Sequence, residues 1–254
     1  MLQTAIEAAR RAGQAVAERY PADREVTVKG YRDVVTEVDF IAERIVLETI
    51  RARYPDHTVI SEETGTTQTN SPYRWVVDPI DGTTNYSRRL PICAVSVGLI
   101  KGDVPIVGAI YDPLRGDMFS AERGRGARLN GAPIQVSRVG SLEDALVGFD
   151  WGHADQIRRR TLQYVGQIAP VCRTVRGLGS ATLALAYVAA GWLDTYLNLA
   201  MKPWDTAAGL VLMGETGGRI STPEGQAYQF DQPACLATNG LVHDEILALL
   251  HQGV

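Results

Sequence analysis

Residues 75–86 read Trp75-Val76-Val77-Asp78-Pro79-Ile80-Asp81-Gly82-Thr83-Thr84-Asn85-Tyr86. The apolar run at the start reads as a buried strand, and the polar residues after Val77 read as a loop at the strand's end. Two carboxylates three residues apart, with Pro79 stiffening the chain between them and Gly82 allowing a tight turn, can converge on one hard cation. Magnesium takes oxygen ligands, usually one or two carboxylates plus waters and a substrate phosphate, and the Ile80 carbonyl offers a further oxygen. Gly82-Thr83-Thr84 reads as the start of a helical turn whose free N–H groups suit a phosphate oxygen. Either half of the segment alone reads as an ordinary surface turn. Five fixed positions in Asp-Pro-x-Asp-Gly-Thr, at about one in twenty each, leave a chance match on the order of one in ten thousand for a chain of this length.

Working outward, Ser61-Glu62-Glu63-Thr64-Gly65 follows the apolar Thr58-Val59-Ile60, which again puts acids at the end of a strand. Glu62 could bridge a metal there, although an acidic pair before glycine also reads as a solvated loop. Trp204-Asp205-Thr206-Ala207-Ala208-Gly209 places an acid in the first turn of a helix, where Asp205 reads equally as a cap favoured by the helix dipole. Thr36-x-x-Asp39 has the form of a capping box at another helix start, so Asp39 carries the same two readings. Lys29-Gly30 could bring an ammonium near a phosphate.

Composition narrows the possibilities. A chain of 254 residues that is 45% hydrophobic can bury a substantial core. A formal charge of −4 offers no long-range pull on a phosphate backbone, and the one basic triplet, Arg158-Arg159-Arg160, reads as the solvated face of a helix. Cys93, Cys172 and Cys235 are widely spaced in apolar surroundings, which supports neither a disulfide framework nor a zinc site. The amino terminus lacks the basic and apolar regions of a signal peptide, and no apolar run reaches membrane-spanning length. A reducing cytoplasmic location is the expectation.

Hydrophobic spacing predicts helices over residues 4–20 and from about 38 to 50, with a short strand over 25–28 between them. Strands are expected at Val59-Ile60, Trp75–Val77, Cys93–Ile100, Val104–Tyr111 and Met118–Ala121, with hairpin turns at Lys101-Gly102-Asp103 and Asp112–Gly116. Beyond residue 140 strands and helices alternate: Ala145–Phe149, Ala154–Ile168, Val171–Val175, Ser180–Ala190, Leu193–Leu199, Asp205–Gly214, Cys235–Ala237 and His243–His251. The expected organisation is an α+β half at 1–140, with an antiparallel sheet and the metal-binding loop, and an α/β half at 141–254 that completes the site.

The string from Trp75 to Tyr86, with Glu62-Glu63 before it and Trp204-Asp205-x-Ala-Ala-Gly after it, resembles the inositol monophosphatase family. Asp33-x-Val-Thr-x-x-Asp39, Gly179-Ser180-Ala181-x-Leu183 and Ala189-Ala190-Gly191-x-x-Asp194 agree with the same pattern, so the resemblance covers almost the whole chain. It implies a five-layered αβαβα sandwich, commonly a homodimer, and a magnesium-dependent, lithium-sensitive phosphatase that uses two or three Mg2+ ions. It makes Glu62, Asp78, Asp81, Asp205 and the Ile80 carbonyl the metal ligands. Thr83 becomes the residue that orients an attacking water, assisted by Asp39 or Glu62. Asp81, Gly82, Thr83, Gly179, Ser180, Ala181, Asn198 and Asp205 become contacts to the phosphate or the sugar ring.

One position departs from the pattern. Inositol-selective members carry a glutamate seven residues before the aspartate of Trp-Asp, and here that position is Asn198, which can still accept from and donate to a hydroxyl but carries no charge. The sequence Asp-Gly-Thr-Thr-Asn-Tyr differs from the Asp-Gly-Thr-Lys-Glu-Phe of relatives acting on adenosine 3′,5′-bisphosphate. Inositol and related sugar phosphates, histidinol phosphate and fructose 1,6-bisphosphate remain as substrates. Some bacterial relatives also act as interaction proteins of the transcription or ribosomal-RNA processing machinery, which is a role of a different class.

Overall fold

The computed structural model describes residues 1–251. The chain opens with α1 (Leu2–Arg19) and a hairpin of β1 (Val26–Gly30) and β2 (Asp33–Thr36), then enters α2 (Glu37–Arg51). The β3 (Thr58–Ser61), β4 (Gly65–Thr67) and β5 (Tyr73–Asp81) strands precede the one-turn α3 (Thr83–Ser87). A meander follows: β6 (Ala94–Lys101), β7 (Val104–Asp112), β8 (Asp117–Glu122), β9 (Ala127–Leu129) and β10 (Ala132–Pro133). The carboxy-terminal part contains β11 (Leu146–Phe149), α4 (Asp155–Ile168), β12 (Thr174–Gly177), α5 (Ala181–Ala189), β13 (Thr195–Asn198), α6 (Pro203–Thr216), β14 (Arg219–Ser221), β15 (Cys235–Thr238) and α7 (His243–His251).

Besides the two-stranded β1–β2 sheet, the described residues form two larger sheets between three layers of helix, the expected αβαβα sandwich. The first sheet has eight strands in the order β10-β9-β8-β7-β6-β5-β3-β4, and the second has five in the order β12-β11-β13-β15-β14. Apolar clusters fill the gaps between layers, the smallest of them joining Val76 and Ile100 of the first sheet to Ala207 of α6. One joins Ala8, Ala12 and Val16 of α1 and Val46 and Ile50 of α2 to Trp75, Val77 and Val97 of the first sheet. A second joins Ile110 and Phe119 on that sheet's other side to Leu183, Leu185 and Leu212 of α5 and α6 and to Tyr196 and Ala237 of the second sheet. A third joins Val147, Leu197 and Leu236 to Tyr164 and Ile168 of α4 and Ile246 and Leu250 of α7. Being apolar nearly all round suits α5, whose Ala181–Ala186 run is buried, to the middle layer.

The first sheet is not wholly antiparallel, because β5 runs parallel to β3 and inserts between β3 and β6. The expected loop after Val77 is also strand: β5 continues through Asp78, Pro79 and Ile80 to Asp81. Its register against β6 slips between Asp78 and Asp81, and such an irregularity tolerates a proline that cannot donate to the ladder. The other unexpected strands, β2, β4, β9, β10 and β14, are two to four residues long and too short for periodicity to mark.

The α6 helix lies directly on the first sheet where Gly98 and Gly108 pair across β6 and β7. A β-carbon on Gly98 would sit 2.7 Å from that of Ala207, and one on Gly108 would sit 2.9 Å from the Cα of Ala208. Only glycine permits this approach, and it sets the depth of the turn that carries Asp205.

Candidate metal centre

Asp78 and Asp81 flank the slip in β5, and the first turn of α6 brings Asp205 to them. One carboxylate oxygen from each of the three lies within 4.8 Å of the others. Pro203 opens α6, and Asp205 Oδ2 accepts the N–H of Lys202 at 2.7 Å, so the acid caps its helix while facing the other two.

Crowding three acids in a buried place is costly without positive charge. Burial, then the charges of Glu62, Asp81, Asp205 and Asp39, push the Asp78 carboxyl well above the usual carboxylate range. Burial and the neighbouring Asp81 do the same to Asp205. Burial also raises Asp81, against hydrogen bonds that favour its charged form. Asp78 Oδ1 is buried with no hydrogen-bond partner among the described residues. Such a set must take up protons or a cation, and its all-oxygen donors fit a hard divalent ion.

Asp81 is held by the amino terminus of α5. Its Oδ2 accepts from the Ser180 hydroxyl, from Thr182 N–H at 2.8 Å and from the Thr182 hydroxyl at 2.7 Å, and its Oδ1 accepts from Ala181 N–H at 3.3 Å. The carboxylate thus satisfies the free N–H groups of a helix start from a distant strand, where a local cap would ordinarily do so. Ser180 and Ala181 therefore turn these donors toward Asp81. Gly179 N–H goes instead to Asp150 Oδ1 at 2.5 Å, and its carbonyl accepts from the Asn85 side chain at 3.2 Å.

Thr83 and Asp39 meet beside the cluster. The Thr83 hydroxyl lies 2.9 Å from Asp39 Oδ1 and 2.8 Å from the Ile80 carbonyl, either of which can take its single proton. Asp39 Oδ2 closes the capping box of α2, accepting from Thr36 N–H at 2.9 Å and from the Thr36 hydroxyl at 2.5 Å. Burial lifts Asp39 to about 6, against those hydrogen bonds. Gly82 has φ of +92°, and a β-carbon there would meet the Ile92 carbonyl at 2.8 Å, so glycine is required at this turn.

Glu62 lies at the edge of the cluster, its backbone N–H on the Val77 carbonyl at 3.2 Å. Lys29 from the hairpin reaches its Oε1 at 3.2 Å and Glu63 Oε1 at 2.8 Å. Burial raises Glu62 to about 7, with Lys29 pulling the other way. Asn198 is buried and turned inward: its Nδ2 donates to the Tyr196 hydroxyl at 2.8 Å and its Oδ1 accepts from Ala200 N–H at 2.8 Å.

Four residues with roles here carry no local signal. Thr182 shares Asp81, Asn85 holds the Leu178 and Gly179 carbonyls, and Asp150 and Tyr196 pair at 2.9 Å beneath Gly179. Each acts on a partner far along the chain, which no spacing rule reaches.

A layered αβαβα sandwich with a buried cluster of acids at the end of a bulged strand is an architecture shared with known phosphatases. The sequence pattern of the inositol monophosphatase family matches residues 1–254, and the chain belongs to that family. It is thereby a phosphatase by family. It is 43% identical over 227 residues to the Nus factor SuhB of Escherichia coli strain K12, covering 87% of this chain and 84% of that protein. It is 38% identical over 249 residues to the inositol-1-monophosphatase of Synechocystis sp., covering 96% of this chain and 86% of that one. The crystal structure of the extragenic suppressor protein suhB from Bartonella henselae superposes with a TM-score of 0.96 at 30% identity, covering 99% of this chain and 98% of that one. No helix among the described residues is long and apolar enough to cross a membrane.

Proposed function

We propose that this chain hydrolyses a small phosphate monoester, an inositol monophosphate or a related sugar phosphate, with magnesium as cofactor. The observation that carries the reading is the convergence of Asp78, Asp81 and Asp205 on one point, with a buried Asp78 oxygen that has no partner among the described residues. Asp78, Asp81, Asp205, Glu62 and the Ile80 carbonyl would hold two or three ions. Bound magnesium supplies charge neutralisation to phosphate oxygens and departing alkoxide, and lowers the pKa of water.

The chain's own residues do the rest. Thr83 donates its proton to Asp39 or Ile80 and keeps lone pairs for a water hydrogen, so it orients that water. Asp39 or Glu62 takes up the proton released. The N–H groups of Gly82 and Thr83 face the phosphate at the start of α3, and the turn around Gly179 borders the sugar. With water aligned directly on phosphorus, no phosphoenzyme forms. The family resemblance further supports a cytoplasmic homodimer inhibited by lithium.

The test is phosphate release by the purified protein with magnesium from a panel of inositol, sugar and histidinol phosphates. No release from any of them overturns the reading, and full activity in Asp81→Asn overturns the site. The 43% identity to a Nus factor favours a second role, contact with the transcription machinery. That role predicts capture of polymerase components by wild type and Asp81→Asn alike.

A further inference from the structure

Asp150 stands just past the end of β11, 7% exposed, and the phosphatase mechanism above makes no use of it. Its two oxygens point two ways. Oδ1 takes the N–H of Gly179, and Oδ2 takes the hydroxyl proton of the wholly buried Tyr196. Tyr196 in turn accepts from Asn198 Nδ2, and Asn198 Oδ1 holds Ala200 N–H in the loop that leads to Asp205. An unbroken hydrogen-bonded chain therefore runs from the loop before α6 to the turn before α5.

That turn is held from the sides of both sheets. Gly179 has φ of +71°, and a β-carbon there would lie 2.8 Å from Asn85 Nδ2. Asn85 draws on the Leu178 and Gly179 carbonyls at 2.8 and 3.2 Å from the side of the first sheet, while Asp150 draws on the Gly179 amide from the second. The next three residues deliver four donors to Asp81. The direction in which those donors point depends on where the Gly179 peptide is held.

We propose that Asp150 is a positioning residue for the cation site: by holding the Gly179 amide it aims Ser180, Ala181 and Thr182 at Asp81, and Tyr196 with Asn198 locks its own carboxylate in place. This rests on the reading of Asp81 as a metal ligand. Groups that orient a metal's ligands typically govern about 10- to 100-fold in metal affinity or activity. An acid that served only to stabilise the turn would affect melting and leave the affinity for magnesium alone.

The experiment measures magnesium affinity by calorimetry, together with kcat, KM and melting temperature, on wild type, Asp150→Ala, Asp150→Asn and Tyr196→Phe. Asp150→Ala is expected to weaken magnesium binding and lower kcat roughly tenfold each, with KM rising by less than kcat falls. Asp150→Asn keeps an oxygen for Gly179 and is expected to recover most of both. Tyr196→Phe is expected to lose a few-fold in the same direction. Wild-type magnesium affinity in Asp150→Ala overturns the proposal, as does an Asn variant as weak as the Ala variant. If Asp150→Ala does not fold, Tyr196→Phe decides, and unchanged magnesium binding in it overturns the proposal. A wild type that binds magnesium but releases no phosphate would instead sink the phosphatase reading, with the calorimetry still reporting on Asp150.

Discussion

Thr182 donates both its backbone N–H and its hydroxyl to the same oxygen of Asp81, at 2.8 and 2.7 Å, joining the first residues of a middle-layer helix to the last residue of a strand in the first sheet. Hydrogen bonds to a charged group contribute about 1.5–3 kcal/mol. Thr182→Val keeps the shape and removes one donor. It is expected to lower stability by about 1–2 kcal/mol and kcat by roughly tenfold, read by denaturant melts and steady-state kinetics.

Among the described residues, one buried oxygen of Asp78 has no partner, and the acid feels the charges of Glu62, Asp81, Asp205 and Asp39. Asp78→Asn relieves that repulsion. In chelator the variant is expected to melt a few degrees above wild type, whereas magnesium, which raises the wild-type melting temperature, is expected to leave the variant unmoved and nearly inactive. A variant less stable than wild type in chelator would count against repulsion as the dominant cost.

The raised acids also set a pH dependence. Burial lifts Glu62 from 4.5 to about 7 and Asp39 from 3.8 to about 6, so between those limits the folded, metal-free chain binds more protons than the unfolded one. Its stability therefore falls as pH rises through that window, and the stabilisation gained from magnesium grows over the same range. Melting curves in chelator and in magnesium from pH 4.5 to 7.5 check the sign. Calorimetry in buffers of different ionisation enthalpy should show protons released on magnesium binding near pH 6.

Gly98 and Gly108 allow α6 to rest on the first sheet, and the turn bearing Asp205 follows the position of that helix. Gly108→Ala drives a methyl into the backbone at Ala208. Overpacking of this kind costs about 1–3 kcal/mol, so the melting temperature is expected to drop by roughly 5 °C. Displacement of Asp205 should weaken magnesium binding as well. An unchanged affinity would mean that α6 absorbs the methyl without moving its first turn.

Much of the molecule was legible from the residues. The opening helix, α2 with its capping box at Thr36 and Asp39, the hairpins around Gly102 and Gly116, and the alternation of strand and helix after residue 140 all rest on contacts within a few residues. The acids of the Asp78–Thr83 segment were legible as well, although the chain around them is bulged strand rather than loop. Periodicity marks a run of side chains facing one way, and it is silent where a strand slips its register.

The sequence by itself determined the chemistry on offer: two acids and a glycine in one short segment, and further acids at a strand end and two helix starts. Only the tertiary structure decided which of them share a point in space. Asp205 joins Asp78 and Asp81 because two glycines let a helix settle on the sheet, and Asp81 finds four donors because α5 begins beside it. The physical reason lies in range. Caps and turns are settled by backbone preferences over three or four residues, while convergence across the chain is settled by how closely packed layers can approach.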